Sequence, residues 1–141
     1  MTVPSFAEMS DVIRRAYDAF NRRDVGAFCS LSTEDIELID MAGTPGARTL
    51  HGHAGIQSFF RDNWETFENP WGEVERILEA GPDRVLALTR HGGSARGGPT
   101  IAQARGVLVA FSPDGKMRET CFFADPREAL TAAGLDEHSA A

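Results

Sequence analysis

The hydrophobic pattern of this chain changes its period once, and that change limits the folds open to it. Up to Phe67 the apolar residues recur mainly every three or four positions, apart from a strand-like stretch from Glu34 to Asp40. From Trp71 onwards apolar and polar residues largely alternate, which is typical of strands. Helices followed by long antiparallel strands predict an α+β domain, in which a curved sheet is packed by helices on one face.

Three amphipathic helices are expected in the first half of the chain. A capping box of Ser5 and Glu8 opens the first, and Asp24 caps a second, shorter helix. The third is expected over 54–67, and Asn69-Pro70 should end it. Its apolar side is unusually aromatic and consists of Ile56, Phe59, Phe60, Trp64 and Phe67. The glycines and proline of 41–50 indicate a loop before this helix.

Four strands and a final short helix are expected in the second half. The strands should cover 71–81, 84–90, 100–111 and 116–124, with a glycine-rich hairpin loop over 92–99. Asp125 then caps a helix that Gly134 ends. We therefore expect a single domain over 1–135 and a frayed tail over 136–141.

The charge and cysteine content exclude several classes of protein. A net charge of -7 disfavours nucleic acid or an anionic membrane as the main partner. No stretch is apolar for long enough to span a bilayer, and the first ten residues lack the regions of a signal peptide. Cys29 and Cys121 are far apart in sequence and fit reduced thiols. We expect a cytoplasmic protein.

Asp40, at the end of the first strand, is the strongest candidate for chemistry. Ile36, Leu38 and Asp40 share one face of that strand, so a buried Ile36 and Leu38 would bring the carboxylate to the end of an apolar interior. A carboxylate there is costly unless it is partnered, solvated or used. Two interpretations stay open: a general base, or a structural acid that caps a turn or pairs with an arginine.

The central strands supply candidate ligand contacts. If Leu88 faces the interior, so does Arg90, and if Val107 does, Arg105 and Gln103 follow by alternation. A buried arginine needs an acid partner or an anionic ligand atom, although exposure at a dimer face is the alternative. The apolar wall of the same interior is expected to consist of Phe60, Trp64, Leu88 and Phe122.

The histidines give weaker signals. His51 and His53 are separated by one residue and have no third ligand nearby, so no metal site is expected. His53 could act as a second acid or base near Asp40. His91 stands at a strand end beside glycines and is expected to be exposed.

Several short motifs, in this order, resemble the nuclear transport factor 2-like superfamily, and in particular its SnoaL-like and ketosteroid-isomerase-like members. The likeness covers 5–135, and the order and spacing of the motifs carry it. The motifs are Ala16-Tyr17-x-x-Phe20-Asn21-x-x-Asp24, Asp35-x-Glu37-Leu38-x-Asp40, His51-Gly52-x-x-x-Ile56-x-x-Phe59-Phe60, Phe111-x-x-Asp114-Gly115-Lys116-Met117 and Glu128-Ala129-Leu130-x-Ala132-Ala133-Gly134-Leu135.

The resemblance implies a cone-shaped barrel with an apolar cavity, in which Asp40 takes the place of the general base. The oxyanion-hole tyrosine of ketosteroid isomerases falls on Ala16, with Tyr17 one step away, and their protonated acid falls near Val107. True ketosteroid isomerase activity is therefore not expected. SnoaL-like polyketide cyclases, which also use an acid in the cavity, are the closest match.

These observations lead to one functional expectation and one alternative. The expectation is a cofactor-independent isomerase or cyclase, with hydrolase or dehydratase chemistry less favoured, acting on a small apolar oxygenated molecule of polyketide, terpenoid or steroid type. Tyr17 joins the expected ligand contacts. The alternative is a non-catalytic binding or dimerisation module. The resemblance also implies a homodimer through the exposed sheet face, here expected to include Val85, Ala87, Ala102, Ala104 and Leu108.

Overall fold

A computed structural model describes residues 3–40, 48–95 and 97–136 of the chain. The helices are α1 (Phe6–Asn21), α2 (Val25–Ser30), α3 (Gly52–Thr66) and α4 (Pro126–Ala132). The strands are β1 (Ser32–Asp40), β2 (Thr49–His51), β3 (Phe67–Gly81), β4 (Arg84–Ala95), β5 (Thr100–Phe111) and β6 (Met117–Phe123). No helix in these ranges has the length and apolar character needed to cross a membrane.

The strands form one sheet in the order β2-β1-β6-β5-β4-β3. β1 and β6 run parallel, and the other neighbouring strands are antiparallel. The α+β architecture predicted from the sequence is confirmed: a mostly antiparallel sheet is joined by three helices from the first half of the chain and a short C-terminal helix.

The two faces of the sheet are buried against different helices. On the inner face, Ile36, Leu38 and Val107 pack with residues of α1, α2 and α3. On the outer face, Leu86 and Leu108 pack with residues of α4. Because strand side chains alternate, each central strand contributes to both clusters.

Local capping signals place the helices as the sequence predicts. Ser5 Oγ accepts from the Glu8 N–H at 3.1 Å, and Glu8 Oε1 accepts from the Ser5 N–H at 3.1 Å, which completes the capping box. Asp24 Oδ1 accepts from the Ala27 N–H at 3.0 Å at the start of α2. At the start of α4, Asp125 accepts from the Arg127 N–H, so the expected cap is confirmed there without a reciprocal bond from Glu128.

Asn21, the last residue of α1, ties that helix to β3. Its side-chain amide donates to the Gly72 carbonyl at 2.8 Å, and its Oδ1 accepts from the Gly72 N–H at 2.8 Å. The ring of Tyr17 occupies the space that a side chain at position 72 would need, since a Cβ there would lie 2.5 Å from Tyr17 Cε1. α1 therefore crosses β3 in close contact.

α3 ends before Asn69-Pro70 as expected, but no loop separates it from the next strand. β3 begins at Phe67, directly after the helix, and passes through Pro70. Asn69 has a φ of 50° and lies where the register with β4 shifts, so a bulge accommodates the proline within the strand.

The structure also differs from the loop expected at 92–99 and, at residues 49–50, from the loop expected at 41–50. β4 continues to Ala95. The missing side chain of Gly92 leaves room for the Trp71 indole, whose nearest atoms lie 2.4 Å from a Cβ built there. Thr49–His51 adds a short edge strand to the sheet, whereas 41–47 lie outside the described residues.

A Gly106→Ala substitution tests the packing of α4 on the outer face. A Cβ at position 106 would lie 2.4 Å from Ala129 Cβ, so α4 would have to move. We expect the free energy of unfolding to fall by about 1–3 kcal/mol, measured by urea denaturation.

Gly26→Ala in α2 is the matched control. The nearest atom to its added Cβ is Asp24 Oδ1 at 3.7 Å, so this change should be neutral or stabilise by up to about 1 kcal/mol. Equal effects of the two substitutions would contradict the close packing of α4.

Candidate functional site

A cavity of about 220 Å³ lies between the inner face of the sheet and the helices α1, α2 and α3. Its wall is largely apolar, with contributions from Phe20 of α1, Phe59 of α3, Val107 of β5 and Phe122 of β6. The rings of Phe59 and Phe122 stack with their centroids 5.3 Å apart. Such a wall suits the carbon skeleton of a small ligand, and polar groups at a few points would orient it.

Asp40 lies on the wall of this cavity, at the end of β1. Ile36 and Leu38 precede it on the same strand face and are 0% and 2% exposed, so the predicted alternation is confirmed. Asp40 itself is exposed, and its backbone N–H donates to the Arg48 carbonyl at 3.1 Å. The carboxylate therefore stands where the apolar interior meets solvent.

An ion pair lies at the same cavity. Arg48, just before β2, pairs with Asp62 of α3, and both residues contribute to the wall. Most of the surface of the Arg48 side chain stays exposed, so this pair adds little to stability. Its effect is to balance one negative charge close to the site.

A hydrogen-bonded pair that the sequence did not predict lies elsewhere on the wall. Tyr17 Oη and His91 Nε2 are 2.8 Å apart, and their rings meet edge to face. Burial raises the pKa of the Tyr17 hydroxyl above its ordinary value. Burial, with the positive charge of Arg105 as a smaller cause, lowers the pKa of His91 to about 4. Both groups are therefore uncharged at neutral pH.

Arg105 lies between this cavity and a second one. The second cavity, of about 260 Å³, is lined by Trp71 of β3 and by Ile101 and Gln103 of β5, and Arg105 and His91 line both. Arg105 Nη2 donates to Gln103 Oε1 at 3.0 Å, and its buried Nε has no hydrogen-bond partner. Among the described residues, no carboxylate lies within ion-pair distance of this guanidinium.

Thr120 adds a further polar atom to the first cavity. The residue is 2% exposed, it contributes to the wall, and its Oγ1 has no hydrogen-bond partner within the part of the chain that the structure describes. A buried hydroxyl without a partner is costly, so a bound ligand or water would stabilise it.

The predicted orientation of Leu88 and Arg90 is wrong. Val85 and Ala87 belong to the inner cluster, so alternation turns Leu88 and Arg90 to the outer face, where Leu88 packs near α4 and Arg90 is exposed. The reason is that residues 85–88 are apolar on both faces, and their pattern does not indicate which face is inner. The same shift moves Val85 and Ala87, both 0% exposed, out of the expected dimer face.

Two aromatic residues of α3 also lie away from the cavity wall. Phe60 is 2% exposed and packs against Phe28 in the core, and its neighbour Phe59 lines the cavity instead. Trp64 packs against Phe20, with the Arg23 guanidinium 5.1 Å from its ring centroid. Phe60 and Trp64 thus pack against wall residues without being among the residues that line the cavity, and their contact with a ligand stays a prediction.

His53 and His91 both lie in surroundings other than those expected. His53 is half-buried at the start of α3 and is absent from the walls of both cavities, so it does not join Asp40 there. His91, expected to be exposed, is the histidine that lines them. No cluster of three or more histidine, cysteine, aspartate or glutamate residues suited to a metal ion occurs within the described ranges.

The remaining predicted contacts meet at the two cavities. Tyr17, Arg105, Val107 and Phe122 line the first cavity, and Gln103 lines the second. Whether they touch a ligand stays a prediction.

Comparisons with known proteins identify the fold. A family model described as SnoaL-like domain matches residues 13–120. No curated protein matches the chain. A nuclear transport factor 2-like protein of unknown function from Burkholderia pseudomallei superposes with a TM-score of 0.72 at 19% identity, over 88% of this chain and 95% of that one.

Two other similar structures contain ligands. TerC, co-crystallised with polyporic acid, has a TM-score of 0.73 at 21% identity, over 90% of this chain and 98% of its own. A Mycobacterium tuberculosis protein in complex with estradiol-17beta-hemisuccinate has a TM-score of 0.71 at 12% identity, over 82% and 92% of the two chains. At these identities the likeness shows the shared fold.

The half-buried His91 predicts a pH-dependent stability. Its pKa falls from an ordinary 6.5 to about 4 on folding, so between these values the unfolded chain binds the proton more tightly than the folded one. Stability should therefore fall as the pH drops through this interval, with His91 contributing up to about 3 kcal/mol of the change. Urea denaturation of wild type and His91→Gln across the interval should give a shallower pH dependence for the variant.

His51→Gln, which replaces an exposed histidine of β2, is the matched control for this comparison. Parallel pH profiles of His91→Gln and wild type would show that His91 ionises alike in the folded and unfolded states, contrary to its burial.

Proposed function

The chain belongs to the SnoaL-like domain family, and from that premise we propose that it is a cofactor-independent enzyme of isomerase or cyclase type. Its ligand is a small, largely apolar and oxygenated molecule of polyketide, terpenoid or steroid type. The polyporic acid and estradiol hemisuccinate held by proteins of the same fold support a ring system of this kind. The protein is proposed to work in the cytoplasm.

The observation that carries this proposal is the presence of an acid and a cation at separate points on the wall of one apolar cavity. Asp40 and Arg105 both line it, and the residues between them are mainly apolar. A base that removes a proton beside a carbonyl leaves negative charge on the carbonyl oxygen. A fixed positive group in a site of low polarity stabilises that charge more strongly than water does.

Each residue of the proposed site has one task. Asp40 accepts the proton from the carbon next to the carbonyl, and its position at the solvent boundary lets it exchange that proton. The positive charge of Arg105 stabilises the negative charge that develops on the carbonyl oxygen. Phe59, Val107 and Phe122 hold the skeleton and exclude water from its apolar part.

A second candidate is a binding module without chemistry. The observation that favours it is the exposure of Asp40, because a solvated carboxylate carries no cost that a catalytic task has to justify. In that case the apolar wall would hold a ligand by packing alone. Removing the Asp40 carboxylate would then change neither the affinity for the ligand nor the ligand's chemical state.

The proposed assembly is a homodimer through the outer face of the sheet. Ala102 and Ala104 are exposed there, and Leu88 and Leu108 lie on the same face beside α4. This surface differs from the expected one by the loss of Val85 and Ala87, which face the helices. A second copy of the chain that packs against this sheet face would bury its apolar side chains.

Asp40→Asn tests the proposed base. In deuterium oxide, the wild type should accelerate exchange of the activated C–H protons of bicyclic ketones such as β-tetralone, followed by proton NMR. The asparagine side chain keeps the size of aspartate but cannot accept the proton, so the rate should fall by about 100-fold or more. Affinity for the ketone should change little.

Asp62→Asn is the matched control, since Asp62 lines the same cavity but pairs with Arg48. It should retain most of the exchange rate. Unfolding curves of both variants would show that the fold is intact. Equal exchange rates in wild type and Asp40→Asn across a panel of ketones would refute the proposed mechanism and favour the binding module.

A further inference from the structure

We propose that the natural ligand carries a carboxylate, and that Arg105, with Gln103 beside it, is the group that binds this carboxylate. This inference rests on the proposed function only in using the same cavity. It adds the chemical class of the ligand and its direction in the site, neither of which follows from the role of Asp40.

The first argument is the uncompensated charge of Arg105. The side chain is partly buried, its Nε is buried without a hydrogen-bond partner, and within the described ranges no acid lies close enough to form an ion pair. Removing a cation from water without an anion beside it is unfavourable. A ligand that brings a permanent negative charge would remove this cost in the bound ground state, as well as during the reaction.

The second argument is the geometry of the donors. The Arg105 guanidinium is a planar fork that matches the two oxygens of a carboxylate. Gln103 Oε1 already accepts from Arg105 Nη2 at 3.0 Å, so the amide nitrogen of Gln103 remains available to donate to an anion. Two adjacent donor groups of this kind on one strand suit a carboxylate better than a single carbonyl oxygen.

The third argument is the distribution of charge over the two cavities. The acids Asp40 and Asp62 line the first cavity, where Arg48 balances the charge of Asp62, whereas no acid is among the described residues that line the second. His91 is uncharged at neutral pH because burial lowers its pKa to about 4, so Arg105 is the fixed positive charge where the cavities meet. An anionic group would therefore be attracted to this boundary and repelled from the Asp40 end.

These arguments give the ligand a direction. Its carboxylate lies against Arg105 and Gln103 at the boundary of the two cavities, and its apolar rings extend along Phe59 and Phe122 of the first. The carbon that loses a proton then points towards Asp40. Arg105 then holds the carboxylate, its positive charge also acts on the negative charge that develops in the same ligand, and Asp40 removes the proton.

A matched pair of probes tests this inference without a known substrate. β-Naphthoate and β-naphthamide have nearly the same shape and differ in charge. Isothermal titration calorimetry at neutral pH should show that the wild type binds naphthoate at least about tenfold more tightly than naphthamide. Arg105→Gln should bind the two probes with similar affinity, because it loses the charge and the fork.

Arg90→Gln is the matched control. It removes an exposed arginine from the outer face of the neighbouring strand, so it changes the net charge as Arg105→Gln does while leaving the cavities unchanged. It should keep the preference for naphthoate. Equal binding of the two probes by the wild type, binding of neither, or a preference that survives in Arg105→Gln would each overturn the inference.

A conservative variant covers the case in which Arg105→Gln does not fold. Arg105→Lys keeps the charge but loses the fork, so it should retain a preference for naphthoate with a several-fold lower affinity. An unchanged affinity in Arg105→Lys would contradict recognition by the guanidinium fork.

The same titration separates this inference from the proposed catalytic role. Asp40→Asn should bind naphthoate at least as tightly as the wild type, because it removes a negative charge from the cavity. If Asp40→Asn keeps full ketone exchange and the preference for naphthoate persists, the general base is wrong and the carboxylate site stands. If exchange is lost and the probes bind equally in the wild type, the general base stands and the carboxylate site is wrong.

Discussion

The two hydrogen bonds between the Asn21 side chain and the backbone of Gly72 hold the end of α1 on β3, and the shape of the site depends on them. They fix the distance between α1 and the sheet at the point where the Tyr17 ring lies over Gly72. Tyr17 then reaches His91 on the next strand. These two bonds therefore decide which polar groups face the cavity and how much space remains between helix and sheet.

The polar residues of the site differ in how they are held. Asp40 and the Arg48–Asp62 pair lie near solvent, where water screens their charges and their side chains adjust at little cost. Thr120 is buried, and the half-buried Tyr17 and His91 are held by the hydrogen bond between them. The cavity thus has an adaptable polar end and a rigid one, with Arg105 as the charge closest to the rigid end. Such an arrangement fits a ligand whose two ends differ in chemistry.

Local signals in the sequence were sufficient for most of the fold and for part of the site. Caps, turns and the face of β1 depend on residues close together in the chain, so Asp24, Ile36 and Asp40 lie where the pattern places them. The inner face of β4 was not predictable, because 85–88 are apolar on both sides. His91 was missed for a different reason: its burial comes from Tyr17, 74 positions earlier, and only the fold brings them together.

The packing of the Trp71 indole against Gly92 has a consequence for fluorescence spectroscopy. The chain has two tryptophans, and they occupy different surroundings: Trp71 lines the second cavity, and Trp64 packs against Phe20 away from both cavity walls. Indole emission depends on the polarity around the ring, so a molecule that displaces water beside Trp71 would alter one emitter and leave the other as an internal reference. Because Gly92 leaves room for the indole at this position, the fluorescence of Trp71 would report whether the second cavity is occupied.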